Sequence, residues 1–218
     1  VNKRAFDEDP LRILRAFSLA IIFDFKIDKD TLKAAKLKAK GLSGVSYERI
    51  RDELFKILER PGSFSYLEEL DKLKILKIII PEIEVMRKVK QGPYHHLDVW
   101  QHTLETVRQL ENAIIEFKNN REIQDYLDEI ISPNRSRRAL IKLGALLHDI
   151  GKPAALRHEN GKTTFHGHER IGADITKNIV GRLKLSNDEM NSLEKIVLWH
   201  LRPGYLADNE EVTPRAIF

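Results

Sequence analysis

His102, His148, His168 and His200 lie on four separated stretches, and His148 is followed directly by Asp149. Imidazole nitrogens together with a carboxylate suit Zn, Mn, Fe, Ni or Co rather than Ca. Asp149 lies in residues 139–152, ALIKLGALLHDIGK, where Ala139, Leu143, Leu146, Leu147 and Ile150 recur at helical spacing. That stripe predicts a buried helix, and a buried carboxylate needs a cation or a dense set of donors. Successive helix positions differ by roughly 100°, so one ion beside the helix could touch both His148 and Asp149. Gly151-Lys152-Pro153 is expected to end the helix, with Gly as its C-terminal cap and Pro as the stop. The alternative on these residues alone is a structural histidine beside a capping aspartate.

Other chemistries are excluded. Gly144 and Gly151-Lys152 are spaced too widely for a phosphate-binding loop, and Pro153 stands where Ser or Thr would hold magnesium. There is no cysteine and no GxSxG elbow, so a nucleophilic triad has no support.

The histidines fall on recognisable elements. His102 lies in DVWQHTLETVRQL, an amphipathic stretch opened by Asp98 and Gln101 in capping-box positions. His168 lies in FHGHE, after a turn containing Gly and Asn at 158–162. His200 closes NSLEKIVLWH, whose start at 186–189 is again a capping box. Helical periodicity recurs along all 218 residues while period-two alternation is scarce, so the expected class is all-α. Two helical units are expected, 1–90 and 91–218, joined at VKQGPYHHL, with residues 132–137 as a turn between helices. The 42% hydrophobic content allows a substantial core, and a net charge of +4 suggests an anionic partner. With no cysteine, signal peptide or long apolar run, the expectation is a cytoplasmic chain with no membrane contact.

Near the start, FDEDPLRILRAFSLA places Asp9 as an N-cap and Pro10 at the first helical position. Leu11, Leu14 and Phe17 form the apolar stripe, and Arg12 and Arg15 project from another face. On the residues alone these arginines are solvated and Asp9 is a cap. Further on, Lys29, Lys33, Lys36 and Lys40 step by four, three and four along a helix closed by Gly41. They make either a solvated stripe or a phosphate-binding face.

The pattern H…HD…H…H, with GALLHDIGKP and FHGHE, resembles the HD-domain metal-dependent phosphohydrolases. The resemblance implies that His102, His148 and Asp149 hold a divalent ion (Mg, Mn, Ni, Co or Zn). His168 and His200 would hold a second ion or phosphate, and Lys152 would neutralise phosphate charge beside catalytic His148 and Asp149. The later Asp of that family would follow TPRAIF, past Phe218, and Asp208 in ADNEE is the available substitute.

EDPLRILRA and IIFDFKID resemble the EDxxR region of the class II tRNA nucleotidyltransferase and poly(A) polymerase family. The resemblance implies that Asp9 and Arg12 read the Watson–Crick edge of an incoming ATP or CTP, with Glu8 buttressing Arg12 and Arg15 nearby. VSYERIRDELFKILERP is similar to the next helix of that family, with Ser46 as N-cap and Arg49 facing the nucleotide. LEELDKLKILKIIIPEI is similar to its RNA-binding body, and QGPYHHLDVWQHTLE to its join with an HD domain. The family's head, with a Gly-Ser loop and a DxD pair for Mg, has no counterpart here. Asp28-Lys29-Asp30 has the spacing but the setting of a turn. The expectation is therefore a neck, body and HD portion that binds tRNA or other RNA, Lys29, Lys33, Lys36 and Lys40 included, and does not polymerise alone. The alternative is an HD phosphohydrolase acting by itself on nucleotides or 2′,3′-cyclic phosphates.

Overall fold

The computed structural model describes residues 4–92, 96–159 and 161–207. The first half is helical: α1 (Ala5–Glu8), α2 (Arg12–Phe23), α3 (Lys29–Lys38), α4 (Tyr47–Leu58), α5 (Ser63–Lys72) and α6 (Leu76–Ile79), with 3-10 turns at Ala39–Gly44 and Pro81–Met86. α2 buries Ile13, Leu14 and Phe17 and packs on α4, which buries Ile50, Leu54, Phe55 and Ile57.

Asp9 departs from the expected N-cap. It ends α1, a turn the periodicity does not signal, and α2 begins only at Arg12. It still serves the start of α2, because its Oδ1 accepts from Leu11 N at 3.2 Å and its carbonyl from Arg12 N at 3.0 Å. Asp28 is the N-cap of α3, accepting from the backbone of Asp30 and Thr31, so the DxD spacing is a capping feature. The lysine helix stops at Lys38, and Lys40 falls on the following 3-10 segment, off the regular α face. Gly41 is needed there for contact: a Cβ would sit 2.9 Å from Pro10 Cγ.

The second half holds α7 (Val99–Glu116), α8 (Arg121–Asp128), the strands β1 (Ile130–Ser132) and β2 (Arg135–Ser136), then α9 (Arg137–Leu147) and α10 (Lys152–Ala155). It continues with β3 (Arg157–Glu159), β4 (Lys162–Thr164), α11 (His168–Arg182), α12 (Asn187–Trp199) and α13 (Arg202–Ala207). Both expected capping boxes form, at Asp98/Gln101 and Ser186/Glu189. The loop expected at 132–137 is instead part of the antiparallel β1–β2 hairpin. A second hairpin, β3–β4, leads into α11. Apart from these hairpins the described residues are helical or irregular, as an all-α reading requires. No helix among them is long and apolar enough to cross a membrane.

α9 is the central strut and packs against α4, α7 and α12. Gly144 allows α12 to approach, since a Cβ would lie 2.7 Å from Ile196 Cγ2. One apolar cluster runs through both halves, from Leu14 and Leu54 to Leu143, Ile179 and Val197. Polar ties reinforce the seam. Arg182 holds Glu82 with two 2.6 Å bonds, and Glu59 accepts from Ser136 N at 2.7 Å and Ser136 Oγ at 2.6 Å. Beneath α9, Lys142 is buried, and its ammonium meets Arg60 O at 2.7 Å, Ser63 Oγ at 3.0 Å and Glu111 Oε1 at 2.8 Å.

Two other buried acids make the fold acid-sensitive. Burial works to raise the carboxyl of Glu53, but the Ser18 hydroxyl and Lys56 outweigh it; burial of Glu189 is likewise outweighed by Arg135 and the Ser186 backbone. Both therefore titrate below the ordinary value of 4.5. A depressed folded-state pKa adds stability that is complete above the unfolded value and is lost as pH falls through the folded one. The melting temperature should hold above pH 4.5 and decline below it. In the variant carrying both Glu53→Gln and Glu189→Gln the acid limb should be shallower; an identical limb would discount these two groups.

Candidate metal centre

Each candidate ligand side chain sits at or near a helix end. His148 is the C-cap of α9, His200 the C-cap of α12, and His168 the first residue of α11, after Gly167 at φ 79°. His102 projects from α7 one turn after its Asp98 cap. The helix expected over 139–152 ends at Leu147, and His148, Asp149 and Ile150 form a turn. Gly151 does not act as the expected C-cap, because its φ is −81°. Its role is close approach: a Cβ would overlap the His168 carbonyl and lie 2.5 Å from Gly172 N. Pro153 likewise does not act as a stop, but occupies the first turn of α10, where a missing N–H costs nothing.

These turns converge on Asp149, which is 1% exposed. Oδ2 lies 3.1 Å from His148 Nε2 and 3.6 Å from His102 Nε2. Oδ1 lies 3.4 Å from His168 Nε2 and 3.6 Å from His200 Nε2. The two groups, His102–His148–Asp149 and Asp149–His168–His200, each have the compactness of a metal-binding set. The structure thus brings together all five residues singled out from sequence. Asp208 lies outside the described residues.

The tautomers follow from the hydrogen bonds. His148 Nδ1 lies 2.8 Å from Ala145 O, His168 Nδ1 2.8 Å from Phe165 O and His200 Nδ1 2.6 Å from Val197 O. A carbonyl can only accept, so each Nδ1 must donate. A neutral imidazole then presents a lone pair at Nε2, as a metal ligand held by an outer carbonyl does. His168 Nε2 and His200 Nε2 face each other at 3.2 Å, and both face a carboxylate. Converging acceptors repel unless a positive charge lies among them. Asp149 Oδ2 also accepts no hydrogen bond of good geometry, although Lys152 Nζ stands 2.7 Å away. The donor set therefore fits a divalent ion, with the carboxylate able to span two positions. Burial works to raise the Asp149 carboxyl. Without an ion, however, His148, His168 and His200 can take up protons at Nε2, and as donors they outweigh burial and hold the carboxyl far below the usual carboxylate range.

Lys152, singled out from sequence, does reach the centre. Its ammonium also meets Gln91 Oε1 at 2.6 Å and lies over the Phe165 ring. Sequence reading quoted the stretches that hold both partners, FHGHE and QGPYHHL, but gave neither residue a role, since the contacts that define them are long-range. The His102 side chain is 35% exposed and forms the most open wall. Beside His168 and Lys152 a cavity of about 610 Å³ is lined by Phe165, Trp199, Arg202 and Tyr205. Its volume falls in the range of small-molecule sites.

The N-terminal residues form a second cluster. Asp9 Oδ2 takes Arg49 Nη2 at 3.0 Å, across forty positions of sequence. Arg12 is held by Glu8 at 3.1 Å and by Ala5 O at 3.3 Å, which is the buttress expected of Glu8. Arg15 instead pairs with buried Glu53 at 3.4 Å. Lys29, Lys33, Lys36 and Lys40 are all exposed, and Lys33 pairs with Asp30 at 3.0 Å.

Comparison with known proteins matches two families in tandem. Residues 24–86 match "Probable RNA and SrmB- binding site of polymerase A", and residues 94–218 match the "HD domain". The chain is 31% identical over 200 residues to the A-adding tRNA nucleotidyltransferase of Deinococcus radiodurans, spanning 88% of this chain and 42% of that protein. It is 28% identical over 208 residues to the CC-adding tRNA nucleotidyltransferase of Thermus thermophilus, spanning 92% of this chain and 43% of that one. The chain thus spans less than half the length of these relatives. Its fold resembles that of the Thermotoga maritima CCA-adding enzyme complexed with tRNA, at TM-score 0.54 and 17% identity, over 99% of this chain and 44% of that one.

Proposed function

Because this chain belongs to the HD-domain family, joined to the neck and body region of the tRNA nucleotidyltransferase and poly(A) polymerase family, we propose that it serves a tRNA-processing protein in two ways. Its HD half hydrolyses phosphate esters with a divalent ion. Its first half, to about residue 90, selects ATP or CTP and holds tRNA for a nucleotidyltransferase that adds A or CCA residues. The observation that carries the hydrolytic reading is the convergence of His102, His148, His168 and His200 on buried Asp149.

A bound divalent ion would supply an acidified water and polarise the phosphoryl oxygen. His102, His148 and Asp149 would hold one ion, and Asp149, His168 and His200 a second. Mn, Ni, Co and Zn all suit these ligands. The Nδ1 bonds of His148, His168 and His200 orient the ligand nitrogens, and Lys152 offers positive charge to the substrate phosphate. The burial of Asp149 keeps bulk water off the carboxylate. Ring opening of 2′,3′-cyclic nucleotides to nucleoside monophosphates, and phosphate release from phosphomonoesters, assayed with Mn, Ni, Co and Mg, test this reading. No metal-dependent turnover with any of them would overturn it. The alternative, hydrolysis by the HD half independent of any tRNA role, shares this centre and is favoured if turnover survives while tRNA binding is undetectable.

For nucleotide selection, the Asp9–Arg49 pair and the buttressed Arg12 supply a carboxylate and guanidinium groups at hydrogen-bonding spacing. Such groups can match the donors and acceptors of a base edge. For RNA, exposed Lys29, Lys33, Lys36 and Lys40 form a basic surface on α3 and the turn after it. Each phosphate contact adds a slope of about −0.7 to −0.9 in log affinity against log salt. Lys33→Glu with Lys36→Glu should therefore weaken tRNA binding and flatten its salt dependence by about two such contacts. Parent-like affinity and slope in this variant would remove the lysine face from RNA binding.

A further inference from the structure

Gln91 lies between the two matched stretches, 24–86 and 94–218, and is 7% exposed. Its segment is strapped to the start of α7. Lys88 N donates to Asp98 Oδ2 at 2.8 Å, Val99 N donates to Val89 O at 3.0 Å, and Lys90 pairs with Asp98 as an isolated antiparallel bridge. Asp98 caps the helix that carries His102, so the same element places Gln91 and one wall of the metal centre. Gln91 Oε1 accepts from Lys152 Nζ at 2.6 Å, and that ammonium is 2.7 Å from Asp149 Oδ2.

The two acceptors of the ammonium differ in kind. Asp149 Oδ2 is an atom that a divalent ion would also use, and an ammonium with no other seat competes with that ion. The Gln91 oxygen is neutral, so it can retain an ammonium without adding an anionic ligand. The Phe165 ring, 5.6 Å from Nζ, closes the third side. We propose that Gln91 is a positioning residue: it keeps the Lys152 ammonium at the rim when a divalent cation takes Asp149, so that both positive charges face a substrate phosphate. This rests on the metal-centre reading above.

The test is Mn²⁺ affinity by calorimetry for this chain, Gln91→Met, Lys152→Met and the two combined. Met keeps the length of Gln and removes the acceptor. Gln91→Met should weaken Mn²⁺ binding roughly tenfold, the scale of a coupled neighbouring pair. Lys152→Met should not weaken it, and the combined variant should match Lys152→Met, because Gln91 acts only through the ammonium. That match also excludes a folding defect as the source of the single variant's loss. Gln91→Glu keeps the acceptor and should retain at least parental affinity. Parental affinity in Gln91→Met, or the same tenfold loss when Lys152 is already replaced by Met, overturns the proposal while leaving the metal centre intact. An unmodified chain that binds no Mn²⁺ overturns both.

Discussion

Replacing Asp149 by Asn should abolish Mn²⁺ binding and leave the metal-free fold at least as stable as before. Loss of an outer-shell partner costs roughly 10–100-fold in metal affinity; removing the one anionic residue shared by both His groups should exceed that. The stability half of the result follows from the acceptor conflict. In the parent, a carboxylate and up to four Nε2 atoms converge with little between them but Lys152. An amide brings two N–H donors on one nitrogen; at the Oδ1 position these face His168 Nε2 and His200 Nε2, at 3.4 and 3.6 Å, while the amide oxygen keeps the Oδ2 place beside Lys152. Lys152 keeps its bond to Gln91. Calorimetric titration with Mn²⁺ and melting in EDTA read the two halves separately. An Asp149→Asn chain that binds Mn²⁺ as tightly as the parent would sink the metal centre. One that melts well below the parent in EDTA would mean that Asp149 is chiefly a structural anion.

The second large effect lies under α9. Lys142→Met leaves Glu111 buried, with only Ser63 Oγ and the Phe64 N–H, at 3.2 Å, as partners. Breaking a buried pair from one side costs about 3–5 kcal/mol, which for a chain of this size lowers the melting temperature by roughly 6–20 °C. Burial also works against the Lys142 ammonium, and pushes its pKa down despite Glu111. The pair is therefore costly to keep as well as costly to break. Adding Glu111→Gln to Lys142→Met should recover much of the loss, because no uncompensated charge is left. If the combined variant melts no higher than Lys142→Met, the pairing account is wrong and the loss comes from packing around Arg60 and Ser63.

Much of this centre was legible through the set of separated histidines and the family resemblance they carry, since His148 and Asp149 by themselves read equally as a structural pair. His102 and His200 were readable through their capping boxes, which place a helix start a fixed distance away. The extent of the helix before His148 was misjudged, since the apolar stripe continues through Ile150 although the backbone turns after Leu147. Gly151 is a glycine for a reason no local pattern carries, namely the backbone of α11 pressed against it. Gln91 was invisible for the same kind of reason: its partner is 61 positions away. Lys142 could have been noticed, because positions 139, 142 and 146 share one helical face and the other two are apolar and buried.

The seam between the halves bears on how such proteins can be re-engineered. Leu54 and Leu143 belong to one apolar cluster, and Arg182 grips Glu82 from the other side. An HD half grafted from a relative would meet a foreign surface on α4 unless the facing residues travelled with it. Exchange of modules within this lineage is therefore constrained to units cut outside the pair, and the two halves are expected to diversify in step.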